Sequence, residues 1–152
     1  MRKAAIFLFA LIGVFFIDEG IKSLFYQHHF NWQSSCISLE LRLNDGVAFS
    51  MLAFLGSKLK WLQLGLVGVL AFLAFKEGWV SKYPLSLGLI AGGAAGNLYD
   101  RFTINYVVDY VHWHCGFNFA VFNFADVMID LGIGLIILQE FLAHKRHNSI
   151  EN

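Results

Sequence analysis

Four stretches of this chain are long and apolar enough to call for hydrocarbon around them, and that governs what the rest can become. Residues 4–17 (resumed from Ile21 to Tyr26), 59–75, 84–103 and 119–143 each approach the roughly 20 residues that a helix needs to cross a bilayer. Within lipid every backbone N–H and C=O must find a partner inside its own segment, so uninterrupted runs of this length are helices. Hydrophobic residues make up 57% of the chain and charged residues only 14%, against about 25% charged in soluble domains. Eleven basic residues balance eleven acidic ones, so no basic field gathers phosphates and nucleic acid is not an expected partner. Met1-Arg2-Lys3 has the look of a signal-peptide start, yet Asp18-Glu19-Gly20-Ile21-Lys22 offers no small-residue cleavage site. The first run therefore reads as a retained anchor.

Basic residues set the orientation. Arg2, Lys3, Lys76, Lys82, Lys145 and Arg146 lie on one side of the four runs, and Arg42, Lys58 and Lys60 on the other, which puts both termini in the cytoplasm. Two loops, about 27–57 and 104–118, then face outward. In the first, Ile37, Leu39, Leu41 and Leu43 alternate with Ser38, Glu40, Arg42 and Asn44, the period of a half-buried strand. Asn44-Asp45-Gly46 supplies turn chemistry before Val47, Ala48 and Phe49, so a hairpin or small sheet on the membrane surface is expected. A shorter strand-like stretch, Tyr106 to Trp113, occupies the second loop. The fold expected is an all-α membrane protein of one domain, residues 1–152, with four transmembrane helices and a small outer sheet.

The informative residues are those that hydrocarbon should not tolerate: Asp18, Glu19 and Lys22, then Asn97, Asp100 and Arg101, then Asn123, Asp126 and Asp130. A charge at the centre of a span costs about 2.5–3.5 kcal/mol on insertion scales, so pairing or function must offset it. Nearly all fall near the outer level. Asp18 and Lys22 are four apart with the acid first, which favours an ion pair. Arg101, on one face with Asn97, suits a carboxylate or lipid phosphate, or else snorkels to the headgroups. Asp109 and Asp126 admit two readings. Either they meet as a proton-sharing pair able to activate water, or one is a helix-start acid and the other a solvated loop residue. His28, His29, His112 and His114 do not complete a metal-ligand set with Cys36 and Cys115, and no metal is expected. Those cysteines form a disulfide or stay free; spacing does not decide. Gly92-Gly93-Ala94-Ala95-Gly96 sits inside an apolar run and suits close helix packing rather than phosphate binding.

Five motifs in order resemble those of the lipoprotein signal peptidase (signal peptidase II) family, bacterial membrane aspartic proteases. Asp18 and Lys22 match its D-x-x-x-K. Asn44-Asp45-Gly46-Val47-Ala48-Phe49-Ser50 matches N-x-G-x-A-F-S, and Gly92 to Arg101 matches G-G-x-x-G-N-x-x-D-R. Val107-Val108-Asp109-Tyr110 resembles V-V-D-F, and Phe122-Asn123-Phe124-Ala125-Asp126 matches F-N-x-A-D. The resemblance implies a catalytic dyad of Asp109 and Asp126. It implies substrate-binding roles for Asn44, Gly46, Asn97, Arg101 and Asn123, with Asp18 and Lys22 in support. It further implies a prolipoprotein substrate whose cysteine carries diacylglycerol, cut on the N-terminal side of that cysteine, and a periplasmic β-cradle formed by the first outer loop. No cofactor is implied. The expected setting is the bacterial inner membrane, with the enzyme a monomer and inhibited by globomycin-type lipopeptides. Glu19, Tyr110 and Asp130 depart from the pattern; Asp130 is expected to pair with a cation or to stay protonated. A proton-coupled carrier and a noncatalytic assembly protein are the rivals. The one-sided clustering of polar residues and the lack of an internal repeat count against a carrier.

Overall fold

Apolar runs become helices and the alternating stretches become strands. The computed structural model describes residues 1–46 and 51–148. Its elements run α1 (Arg2–Tyr26), β1 (Trp32–Gln33), β2 (Ile37–Asn44), a 3₁₀ segment (Ala53–Lys58), α2 (Leu59–Lys76), α3 (Trp79–Lys82), α4 (Pro84–Thr103), β3 (Val107–Trp113) and α5 (Phe124–Asn148). Three helical segments, Arg2–Tyr26, Ala53–Lys76 and Phe124–Arg146, are long and apolar enough to cross a membrane. α4 has 20 residues, also a crossing length, but its glycines and its polar end keep it out of that group.

The long helices are built inside out. Phe9, Phe16, Leu66, Phe72, Ile137 and Phe141 are exposed, while Asp18, Lys22, Asp100, Arg101 and Asn123 are buried. That distribution suits lipid outside and a polar seam within. α4 runs between α1 and α5, and consecutive glycines serve its two neighbours. A Cβ on Gly92 would lie 2.7 Å from the Leu11 carbonyl oxygen of α1, and one on Gly93 would lie 2.5 Å from the Ala125 carbonyl oxygen of α5. The glycine stretch therefore acts as close-packing surface, in the small-residue manner of membrane helices. Because the obstacle to a Gly93 side chain is backbone, Gly93→Ala should destabilise the fold by about 1–3 kcal/mol through overpacking. It should also lower activity by displacing the start of α5; thermal unfolding and turnover in detergent check both.

At one end of the helices lies a three-stranded antiparallel sheet in the order β1-β2-β3. β2 pairs with β3 from the second loop, Ile37 opposite Trp113, Arg42 opposite Asp109 and Asn44 opposite Val107, with an irregularity between Leu39 and Arg42. A disulfide joins Cys36 to Cys115 and fastens the far end of that pair. Of the hairpin or small sheet expected here the sheet is present, built by long-range pairing of β2 with β3; the stretch 47–49 assigned to a hairpin return lies outside the described residues. Phe25, Val108 and Tyr110 form a buried cluster with Ile21, Leu39, Leu41, Ile104 and Phe124. Tyr110 stacks on Phe25 at 4.3 Å between ring centres. The sheet is thus seated on the end of α1, and one face of β3 is fixed against the helices.

The helix expected from Phe119 begins only at Phe124. Asn123 stops it. Its side-chain oxygen accepts the Asp126 backbone N–H at 2.9 Å, while an Asp126 carboxyl oxygen accepts the Asn123 backbone N–H at 3.1 Å. This reciprocal capping box ends the apolar run as helix and frees 119–122 as a loop.

Candidate active site

Four elements deliver polar side chains to the junction between the sheet and the helices. Pairing of β2 with β3 sets Asn44 beside Asp109: the Asn44 amide donates to one Asp109 oxygen at 2.8 Å. The Asn123 amide, at the start of α5, donates to the other at 2.8 Å. The Asn97 amide, on α4, donates to Asp126 at 2.8 Å, and Asn123 in turn donates to the Asn97 side-chain oxygen at 3.0 Å. Asp109 and Asp126 are therefore held by one connected set of three asparagine amides, although sixteen residues lie between them in the chain.

A buried cation orders that set. Lys22 lies 2.7 Å from Asp18, the pair its spacing predicts, and 2.8 Å from Asp100. It also donates to the Asn97 side-chain oxygen at 3.0 Å. With that oxygen facing an ammonium and the Asn123 amide, the Asn97 NH₂ must point the other way, at Asp126. Asp18 accepts the Ala125 backbone N–H at 2.9 Å, satisfying an orphan donor in the first turn of α5. Asp100 accepts the Val108 N–H at 3.0 Å, which fixes the residue before Asp109. Gly96 makes room for this, since a side chain there would run into the Asp18 carboxylate.

Arg101 is buried, so it does not snorkel; its guanidinium donates to the Gly46 carbonyl and lines the same cavity as the two acids. That cavity has a volume of about 360 Å³ and runs from Asn44 and Asp109 past Asn97 and Asp126 to Gln63 and Asp130. A second cavity of about 330 Å³ shares Asn44, Asp109 and the 119–121 loop and extends across the sheet to Arg42 and His112. Asp109 stands where the two meet. It is 2% exposed. Burial pushes its carboxyl up to about 7; Asp126 adds to the rise, while the amides of Asn44 and Asn123 oppose it.

The site thus gathers two carboxyls, three amides and a guanidinium about one cavity whose remaining wall is mostly apolar. The signal peptidase (SPase) II family model matches residues 10–142, nearly the whole chain. The chain belongs to the signal peptidase II family. It is 52% identical over 141 residues to a lipoprotein signal peptidase of Sulfurovum sp., covering 93% of this chain and 96% of that one. A lipoprotein signal peptidase of Campylobacter jejuni is 42% identical, with 96% of each chain covered. A solved bacterial membrane enzyme shares the fold, with a TM-score of 0.78 at 19% identity, over 92% of this chain and 90% of that one. With its three apolar crossing-length helices, this signal peptidase II family member is a membrane-bound peptidase rather than a carrier or a passive assembly protein.

Its departures from the family motifs have local explanations. The Tyr110 hydroxyl accepts the Phe124 backbone N–H at 2.9 Å, meeting another orphan donor of α5 that a Phe would leave open. Asp130 lines the cavity and makes no ion pair among the described residues, so of the two alternatives expected for it the cation partner is not found. His114 hydrogen-bonds Ser38 at 3.0 Å and His112 approaches Glu40 at 3.8 Å, so these rings serve the sheet. Sequence reasoning singled out Asp100 without assigning it a role in the site, and missed Gln63. Asp100 stands in the D-R step of the third motif and could have been found there. Gln63 carries no such signal beyond being the only polar side chain between Lys60 and Lys76.

Proposed function

We propose that this protein is an aspartic endopeptidase that removes the signal peptide from diacylglyceryl-modified prolipoproteins, cutting on the N-terminal side of the lipidated cysteine. The observation that carries this reading is the joint placement of Asp109 and Asp126 on one cavity, bound together through Asn97 and Asn123. Four spans, with α4 as the one that carries the polar seam, put both termini in the cytoplasm of a bacterial inner membrane. The sheet then lies at the periplasmic face as a cradle within a single domain, 1–152. At that depth the substrate's acyl chains stay in lipid while its scissile bond reaches the acids.

In the proposed reaction Asp126, as carboxylate, takes a proton from water as the oxygen attacks the scissile carbonyl carbon. Asp109, protonated, gives its proton to the carbonyl oxygen. The tetrahedral diol collapses as Asp126 passes its proton to the departing amine and Asp109 recovers one from a hydroxyl. The products are a new carboxyl terminus on the signal peptide and a free amino group on the lipidated cysteine. Asn44, Asn97 and Asn123 hold the acids, while Arg101 and Gly46 shape the wall. The chemistry calls for neither metal nor cofactor and for one copy of the chain. A globomycin-type lipopeptide would compete by lodging a hydroxyl between the two carboxyls.

The purified chain, incubated with a diacylglyceryl-modified precursor, should release the signal peptide, read by mass spectrometry; release before any residue other than the lipidated cysteine would refute the cleavage rule. Because Asp109 must carry a proton, kcat/KM should fall above about pH 7, approaching tenfold per pH unit, and this limb belongs to the coupled pair. A rate that stays flat to pH 9 would remove Asp109 from the acid's role.

A further inference from the structure

We propose that Gln63 and Asp130 form an inner subsite that binds the substrate's extended backbone about two residues before the scissile bond. Both line the cavity that holds Asp109 and Asp126, Gln63 from α2 and Asp130 from α5. Asp130 is exposed, and among the described residues neither side chain has a hydrogen-bond or ion-pair partner. An unpaired carboxyl on a crossing-length helix, opening on the reaction cavity, marks a binding position rather than a packing one.

Depth identifies what it binds. Asp130 follows Asp126 by four positions, so it lies on the same helix face about 6 Å further from the sheet. An extended peptide advances about 3.3 Å per residue, which makes that distance two residues of substrate. A signal segment enters as a helix from the inner side and must unwind to present a carbonyl to the acids. Each unwound residue bares an N–H and a C=O at a depth where lipid offers no partner. Asp130 supplies acceptor oxygens and Gln63 both an acceptor and a donor, the set an unwound peptide unit needs. The segment's N-terminal part lies deeper than the bond, which is where this pair stands.

This inference rests on the peptidase reading above and deepens it. The test compares a diacylglyceryl lipopeptide with its twin N-methylated at the second residue before the cut, using the full chain in nanodiscs. For the wild type, methylation should raise KM about tenfold, the cost of one lost hydrogen bond to a charged or polar partner, with little change in kcat. Asp130→Leu and Gln63→Leu should show raised KM toward the unmodified peptide and a diminished methylation effect. Asp130→Asn, which keeps an acceptor oxygen, should recover part of the loss. A full methylation effect in Asp130→Leu, or unchanged KM in both leucine variants, overturns the subsite. Affinity of both peptides for the Asp109→Asn protein separates the two readings without turnover. Equal affinities refute the subsite even where the wild type cuts, and a wild type that binds with the expected difference but never cuts refutes the peptidase.

Discussion

Asp109→Asn and Asp126→Asn should each lower kcat/KM by about 10⁴-fold or more, and the double variant should be no worse than either, because groups that act as one unit are not additive. The two substitutions part company in stability. Asp109 is buried, and its carboxyl sits at about 7 against 3.8 when unburied, so between those values the folded chain holds a proton that the unfolded chain has released. Stability from this group falls as pH climbs from about 4 to about 7, and above 7 the whole penalty is present, on the order of 4 kcal/mol. Asparagine carries no such penalty. Asp109→Asn should therefore melt higher than wild type at pH 8, with the gap closing toward pH 4. Asp126→Asn weakens the capping box of α5, at a cost of about 1 kcal/mol. A pair of melts at pH 8, one raised and one lowered with both enzymes dead, would separate catalytic loss from misfolding. Full activity in either variant would end the dyad account.

How far the sequence reaches depends on the range of the interaction. Bounds of α1, α2 and α4 follow from hydropathy to within a residue or two, since lipid selects apolar runs locally. Hydropathy starts α5 five residues early because Phe119 to Phe122 are as apolar as a helix start. The cap at Asn123 decides otherwise, and those side chains wall the cavity instead. β2 was legible from its alternation, but its partner was not. Arg42 meets Asp109 across 67 positions, and no local rule specifies a register that depends on a disulfide and on seating against Phe25. Asp18 with Lys22 could be paired from helix spacing alone. That Asp100 joins them needed the closeness of α1 to α4, which the glycines permit but do not announce. The polar end of α4 lowers its hydropathy for the reason that makes it central: its Asn97, Asp100 and Arg101 belong to the site, packed between α1 and α5.

The Lys22→Met variant should lose about 3–5 kcal/mol of stability, the usual consequence of removing one partner from a buried ion cluster. Lys22 is 2% exposed, and its ammonium lies between the carboxyls of Asp18 and Asp100. Without it two buried acids face each other inside the helix seam. Catalysis should suffer for a different reason. Lys22 fixes the Asn97 oxygen, and that orientation turns the Asn97 NH₂ toward Asp126. With the cation gone only the Asn123 amide still holds that oxygen, and the Asn97 amide flips more readily to present its oxygen to the carboxylate. A triple variant, Lys22→Met with Asp18→Asn and Asp100→Asn, separates these effects. Neutralising both acids should restore much of the melting temperature, since Asp18 and Asp100 can still accept the Ala125 and Val108 N–H groups as amides. Activity should stay depressed about 10- to 100-fold, the scale of a supporting contact that orients a reacting group. Recovery of activity along with stability would mean that Lys22 only neutralises charge, and that Asn97 needs no cation to face Asp126.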